Sequence, residues 1–124
     1  MLRDANAAAT LAVKDLRAAA RFYEDTLGLS RADSEGDEAV MFESGDTRIN
    51  VYRSKFAGTN QATALTWTVD DVEDTVRTLR AKGVKFEHYD LPETTRAGDI
   101  HISGNVKVAW FKDPDGNILS IVNR

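Results

Sequence analysis

Cysteine is absent from the chain, which removes disulfides, thiolate catalysis and cysteine-ligated zinc together. Histidine is scarce. His88 and His101 are the only two, and a solitary histidine at a strand end or in a loop is more often surface or structural than catalytic. No basic run or stripe occurs, and 16 Lys and Arg against 20 Asp and Glu give a net charge of −4. Phosphate-backbone binding needs clustered Lys and Arg, so nucleic acid is not expected as a partner. No apolar segment reaches the roughly 18 residues that a spanning helix requires, so no membrane partner is expected. The short apolar run Ala7-Ala8-Ala9-Thr10-Leu11-Ala12-Val13 follows Asp4 and lacks a small-residue cleavage site after it. It reads as a strand, and a cytoplasmic protein is the default. There is no Ser-His-Asp order and no glycine loop of the kind that cradles phosphate.

What is present is one domain's worth of ordinary globular sequence. The 124 residues are 42% hydrophobic and 29% charged, enough for a core without staples. A strand over 10–13 leads into Asp15, a helix cap. Over 15–29, Leu16, Ala19, Ala20, Tyr23 and Leu27 recur at three- and four-residue spacing, one apolar stripe that Gly28 ends. Strands are predicted over 30–34, 38–43 and 48–52, separated by turn signals at Glu35-Gly36-Asp37 and Ser44-Gly45-Asp46. A linker over about 54–62 follows.

The pattern then repeats. Leu65 to Val69 alternates as a strand, Asp70 or Asp71 caps a helix, and Val72, Val76 and Leu79 form its stripe up to Gly83. Val13-Lys14-Asp15-Leu16 matches Val69-Asp70-Asp71-Val72 at an offset of 56 residues, whereas the fourth and last strands match at an offset of 70. The second half therefore carries about 14 extra residues, and the Gly-, Thr- and Pro-containing stretch 90–104 is where they fit. The chain closes on Trp110-Phe111-Lys112-Asp113-Pro114-Asp115-Gly116-Asn117 and a final strand. Here Pro114 presets a type I turn, Asp113 can accept from the amides beyond it, and Gly116 supplies the left-handed conformation. Asp113 and Asp115 look catalytic by type, but turn geometry accounts for both.

Strand alternation separates two kinds of face. Leu11 and Val13, Ile49 and Val51, Leu65, Trp67 and Val69, and Leu119 and Ile121 belong under the helices. The opposite faces carry Ala8, Thr10, Ala12, Arg48, Asn50, Tyr52, Ala64, Thr66, Thr68, Ile118, Ser120 and Val122, a set dominated by small or polar residues suited to a partly wet cavity wall.

The paired strand–helix–three-strand halves, the Val-Lys-Asp-Leu-Arg-Ala-Ala-Ala-Arg-Phe-Tyr run from Val13 to Tyr23, and the Asp113-to-Asn117 turn together resemble the vicinal oxygen chelate superfamily. The match is to its small glyoxalase and bleomycin-resistance type. The resemblance implies an α+β fold of two tandem βαβββ modules, residues 7–53 and 63–124 of a single domain spanning 1–124. These would form a cup-shaped, barrel-like mixed sheet with the helices outside, usually in a homodimer, with a ligand in the cup. Metal-using members draw one His or Glu from each of the first, fourth, fifth and last strands. The corresponding positions here are Ala8, Asn50, Ala64 and Ser120, which offer two methyl groups, an amide and a hydroxyl. No metal and no other cofactor is therefore expected. Arg48, Asn50, Tyr52, Thr66, Thr68 and Ser120 are the candidate ligand contacts. His101 joins them because the 90–104 segment would lie over the cup as a lid. Three readings stay open. One is a metal-free protein that binds a small amphipathic or aromatic molecule. A second is a metal-independent lyase or isomerase acting through Tyr52, His101 or Glu43. The third is an interaction module whose dimer surface is its function.

Overall fold

The protein's structure, a computed structural model, describes residues 1–36 and 38–124; of the predicted turn 35–37, Asp37 lies outside the described residues. After a short 3-10 turn at Leu2–Asp4, the first half runs β1 (Ala9–Val13), α1 (Leu16–Arg21), a π-turn (Phe22–Thr26), β2 (Ser30–Glu35), β3 (Ala39–Ser44) and β4 (Thr47–Arg53). The second half runs β5 (Thr63–Thr68), α2 (Val72–Ala81), β6 (Phe86–Glu87), β7 (Thr95–Ala97), β8 (Ile100–Ser103), β9 (Val106–Lys112) and β10 (Ile118–Val122). Each half builds a mixed sheet. The first has the order β1-β4-β3-β2 and the second β5-β10-β9-β8-β7, with β6 also paired to β9. In both, the strand before the helix lies parallel to the last strand of its half, β1 on β4 and β5 on β10. The expected α+β duplication is present, although the two sheets do not close on each other into a barrel.

The helix starts follow the sequence signals. Asp15 accepts from the Arg17 and Ala18 amides, and Asp71 accepts from the Asp74 amide, each satisfying donors that an uncapped first turn would leave unpaired. The first helix departs from the predicted single stretch over 15–29. After Arg21 it widens, with the Leu27 N–H reaching the Phe22 carbonyl five residues back. That shift lets neighbouring rings both face inward. Phe22 packs on Phe111, and Tyr23 packs on Phe42.

The helix-facing residues of both sheets form one core. Val13, Phe42, Ile49, Val51, Ala109, Phe111 and Leu119 are all at most 2% exposed, together with Ala19 and Tyr23 from the first helix and Val72 from the second. Polar ties cross between the halves. The Trp67 indole donates to Ser44 Oγ at 2.8 Å. At the other end, the 113–117 turn locks onto the start of the chain: Tyr23 Oη donates to Asp113 Oδ2 at 2.8 Å, Asn117 Nδ2 donates to the Ala12 carbonyl, and the Lys14 amide donates to Asp115 Oδ1. The 54–62 segment is no free linker. Ala57 is buried, and Gly58 (φ +74°) presses on the same turn so closely that a Cβ there would lie 2.1 Å from the Asp115 carbonyl oxygen.

The extra residues of the second half require a correction. They form the β7–β8 hairpin, which continues the sheet edge instead of draping over its face as a lid. The outer edge of β9 is shared. β6 pairs with Phe111 and Trp110, while β8 pairs with Val108, Lys107 and Val106. The edge position filled by β2 alone in the first half is thus split in the second, with the insertion between its two pieces.

Candidate functional site

Register fixes which side chains share the faces turned away from the core. On the first sheet, Asn50 lies beside Thr10 and Met41, Tyr52 beside Ala12 and Ala39, and Arg48 opposite Glu43. Arg48 and Tyr52 are exposed and Asn50 is half-buried. The Arg48 guanidinium stands 3.9 Å from Glu43 Oε1, so an anion arriving there meets a cation already facing a carboxylate. Glu43 itself is exposed.

On the second sheet, Thr66 pairs with Ser120 in register, and their hydroxyls are hydrogen-bonded at 2.7 Å. Ser120 is buried; Thr66 and Thr68 are exposed, and the Thr68 hydroxyl donates to the Arg124 carbonyl. Trp110 lies opposite Ser120, and His101 opposite Val108, on the same face. His101 is only 1% exposed. Its Nε2 accepts from the Tyr89 amide at 3.0 Å, its ring meets Trp110 edge-on at 4.8 Å, and Tyr89 meets Trp110 edge-on at 5.3 Å. The Trp110 indole N–H donates to Thr63 Oγ1. Burial, followed by the nearby Glu87 carboxylate, holds the Tyr89 phenol above its ordinary value, so it stands as a neutral O–H. His88 points elsewhere, exposed and 2.7 Å from Asp99.

The predicted contacts therefore divide. Arg48, Asn50 and Tyr52 line one sheet, while Thr66, Thr68, Ser120 and His101 line the other. A crevice of about 290 Å³ touches both groups, with Ala8, Arg48, Leu65 and Thr66 in its walls. A second, of about 220 Å³, lies beside Thr63, Tyr89, Trp110 and Ile118. Tyr89 and Trp110 were not among the predicted contacts. Trp110 was legible from alternation, because Phe111 is in the core and its neighbour must face away; Tyr89 comes in on the loop after β6, for which spacing gave no signal. Asp113 is fully used as a turn and tie: Oδ1 accepts from the Asp115 and Asn117 amides, and Oδ2 from Tyr23 and the Asn117 side chain. Among the described residues no group of three or more His, Asp or Glu side chains stands where it could hold a metal ion.

A family model for the Glyoxalase/Bleomycin resistance protein/Dioxygenase superfamily matches residues 6–121. The uncharacterized protein YraH of Bacillus subtilis (strain 168) is 30% identical over 127 residues, covering 90% of this chain and 91% of that protein. Two solved structures share the fold. The bleomycin resistance determinant encoded on transposon Tn5 superposes with a TM-score of 0.73 at 18% identity, covering 96% of this chain and 97% of that one. The lactoylglutathione lyase from Agrobacterium tumefaciens gives 0.72 at 19% identity, covering 97% and 93%.

Proposed function

The chain belongs to the glyoxalase/bleomycin resistance protein/dioxygenase superfamily, and on that premise we propose that it is a cytoplasmic, metal-independent protein that binds a small amphipathic or aromatic molecule. The observation that carries this reading is the chemistry of the outward sheet faces. They offer a cation, an amide, hydroxyls and aromatic rings (Arg48, Asn50, Thr66, Ser120, Tyr52, Trp110) and, among the described residues, no carboxylate–imidazole cluster. Such a surface recognises flat, partly polar molecules by stacking and hydrogen bonds. Homodimerisation belongs to the same reading. The strands β1, β2, β5 and β7 are the edges of the two sheets, and pairing two copies covers edges and faces alike.

The reading as a metal-independent lyase or isomerase has less support. Glu43 is exposed and faces Arg48, while Tyr52 and His101 stand on different sheets. Native mass spectrometry of the purified protein tests the proposal. A co-purified organic molecule on a dimer, with no stoichiometric metal, is the expected result; a bound divalent ion at one per chain overturns it. With that molecule, Arg48→Ala and Tyr52→Ala should each weaken binding by about 1–3 kcal/mol, and unchanged affinity in both would remove the first sheet from the site.

A further inference from the structure

His101 carries more information than its burial. A backbone amide can only donate, so the nitrogen that receives the Tyr89 N–H, Nε2, bears no proton, and the neutral ring holds its proton on Nδ1. Yet Nδ1 is buried, and no described residue pairs with it. The Tyr89 hydroxyl is in the same condition: buried, with no partner among the described residues. Two polar hydrogens unused by the protein thus sit within one cluster of three rings, since Tyr89 and His101 are 6.2 Å apart and both stand against Trp110. Leaving buried donors unpaired is costly, and no core reason retains them here, because a phenylalanine would fill the place of Tyr89. Beside this cluster opens the 220 Å³ crevice walled by Thr63, Tyr89, Trp110 and Ile118, which holds a ring system but not a large ligand.

We propose that Tyr89, His101 and Trp110 form the specificity end of the ligand site, and that it takes a flat, uncharged aromatic molecule through a carbonyl-type oxygen. The ring lies against Trp110, and as the Tyr89 side chain in the crevice wall turns aside, the oxygen accepts from the Nδ1–H of His101 behind it and from the Tyr89 hydroxyl. A charged ligand gains no partner here, because Glu87, opposite Trp110 in register, already faces Lys112 Nζ at 3.5 Å. The proposal rests on the reading of the chain as a small-molecule binder, but places the selective contacts on the second sheet's outer strands.

The test uses the full chain uniformly labelled with ¹⁵N, and coumarin as the probe. Long-range proton–nitrogen NMR reports the tautomer. Nδ1–H is expected for His101, and an Nε2–H ring overturns the proposal. Titrated coumarin should shift the His101 ring and Trp110 indole signals. Its affinity should fall about three- to tenfold in Tyr89→Phe, the effect of one hydrogen bond. It should fall similarly in His101→Gln, whose side-chain carbonyl still accepts the Tyr89 amide and so keeps the strand in place. Equal affinity in wild type and both variants overturns the proposal, as does the absence of any shift at the cluster. Shifts confined to Arg48, Asn50 and Tyr52 overturn it too, while leaving small-molecule binding intact. The broader reading is decided separately by the co-purified molecule in native mass spectrometry.

Discussion

Removing one oxygen atom, in Tyr23→Phe, probes the joint between the two halves of the chain. Tyr23 Oη donates to Asp113 Oδ2 at 2.8 Å, both groups are buried, and 90 residues separate them in sequence. Phenylalanine keeps the ring and hence the packing on Phe22 and Phe42, so no cavity enters the balance. What is lost is a hydrogen bond to a carboxylate, worth about 1.5–3 kcal/mol. Asp113 retains three donors, two of them backbone amides, which sets the expected loss near the lower half of that range, about 1.5–2 kcal/mol. For a chain of this size that lowers the melting temperature by roughly 5–8 °C. Urea unfolding followed by circular dichroism reads it as a lower midpoint at unchanged slope. A pH signature accompanies it. Burial first, then the Asp113 carboxylate, push the Tyr23 phenol far above its ordinary value. Below about pH 10 both folded and unfolded chains hold this proton, and the group adds no pH dependence. Above that, only the unfolded chain loses it, so stability falls by about 1.4 kcal/mol per pH unit. Tyr23→Phe should be less stable at neutral pH yet lose stability less steeply above pH 10. A variant within about 0.5 kcal/mol of wild type at pH 7, or one with an unchanged alkaline slope, would refute the account of the joint.

Gly58→Ala should cost about 2–4 kcal/mol, because a left-handed backbone angle and a clash with the Asp115 carbonyl act together; thermal melting reads the loss, and a neutral substitution would show that the 113–117 turn moves freely. Adding Ni²⁺, Zn²⁺ or Mn²⁺ should leave the melting temperature unchanged, since a native-state site at a hundredfold excess over its Kd would add about 2.7 kcal/mol, and no described carboxylate–imidazole cluster provides one. Calorimetry should give one unfolding transition with equal calorimetric and van't Hoff enthalpies, because the buried residues of both halves form a single cluster; two separable transitions would mean that the modules fold independently.

Most of this architecture was readable because it rests on short-range rules. Asp15 and Asp71 announce their helices through the amides they cap, and strand alternation sorts Ile49 and Val51 from Arg48, Asn50 and Tyr52 without any knowledge of the partner strand. Tertiary packing accounts for what was not legible. The helix over 15–29 breaks into a π-turn so that Phe22 can reach Phe111, 89 positions away. The length arithmetic found the insertion in 90–104 but not its fate. Whether such a segment covers a face or extends an edge depends on free backbone groups along β9, and β6 leaves half of that edge unpaired. For the site, residue type on a face was predictable, whereas the pairing of Tyr89 with His101 was not, since it depends on where a loop returns.

The Asp113-Pro114-Asp115-Gly116-Asn117 string illustrates how a local motif acquires its meaning at long range. Turn geometry alone needs Pro114, Gly116 and one acceptor at Asp113, and the Asp113 Oδ1 bonds to two amides satisfy it. Beyond the turn, Asp113 Oδ2 and Asn117 Nδ2 bond to each other and each also reaches the other half, Oδ2 to Tyr23 and Nδ2 to the Ala12 carbonyl, while Asp115 Oδ1 accepts from the Lys14 amide. Lys14 and Ala12 flank the end of β1, the strand whose outward face continues into Thr10 beside Asn50. The hairpin thus fixes the position of one half's outward face relative to the other's. Under the proposed function this gives the motif a positioning role without a catalytic carboxylate. Its acids are consumed in holding Arg48, Asn50 and Tyr52 at a set distance from Ser120, Trp110 and His101.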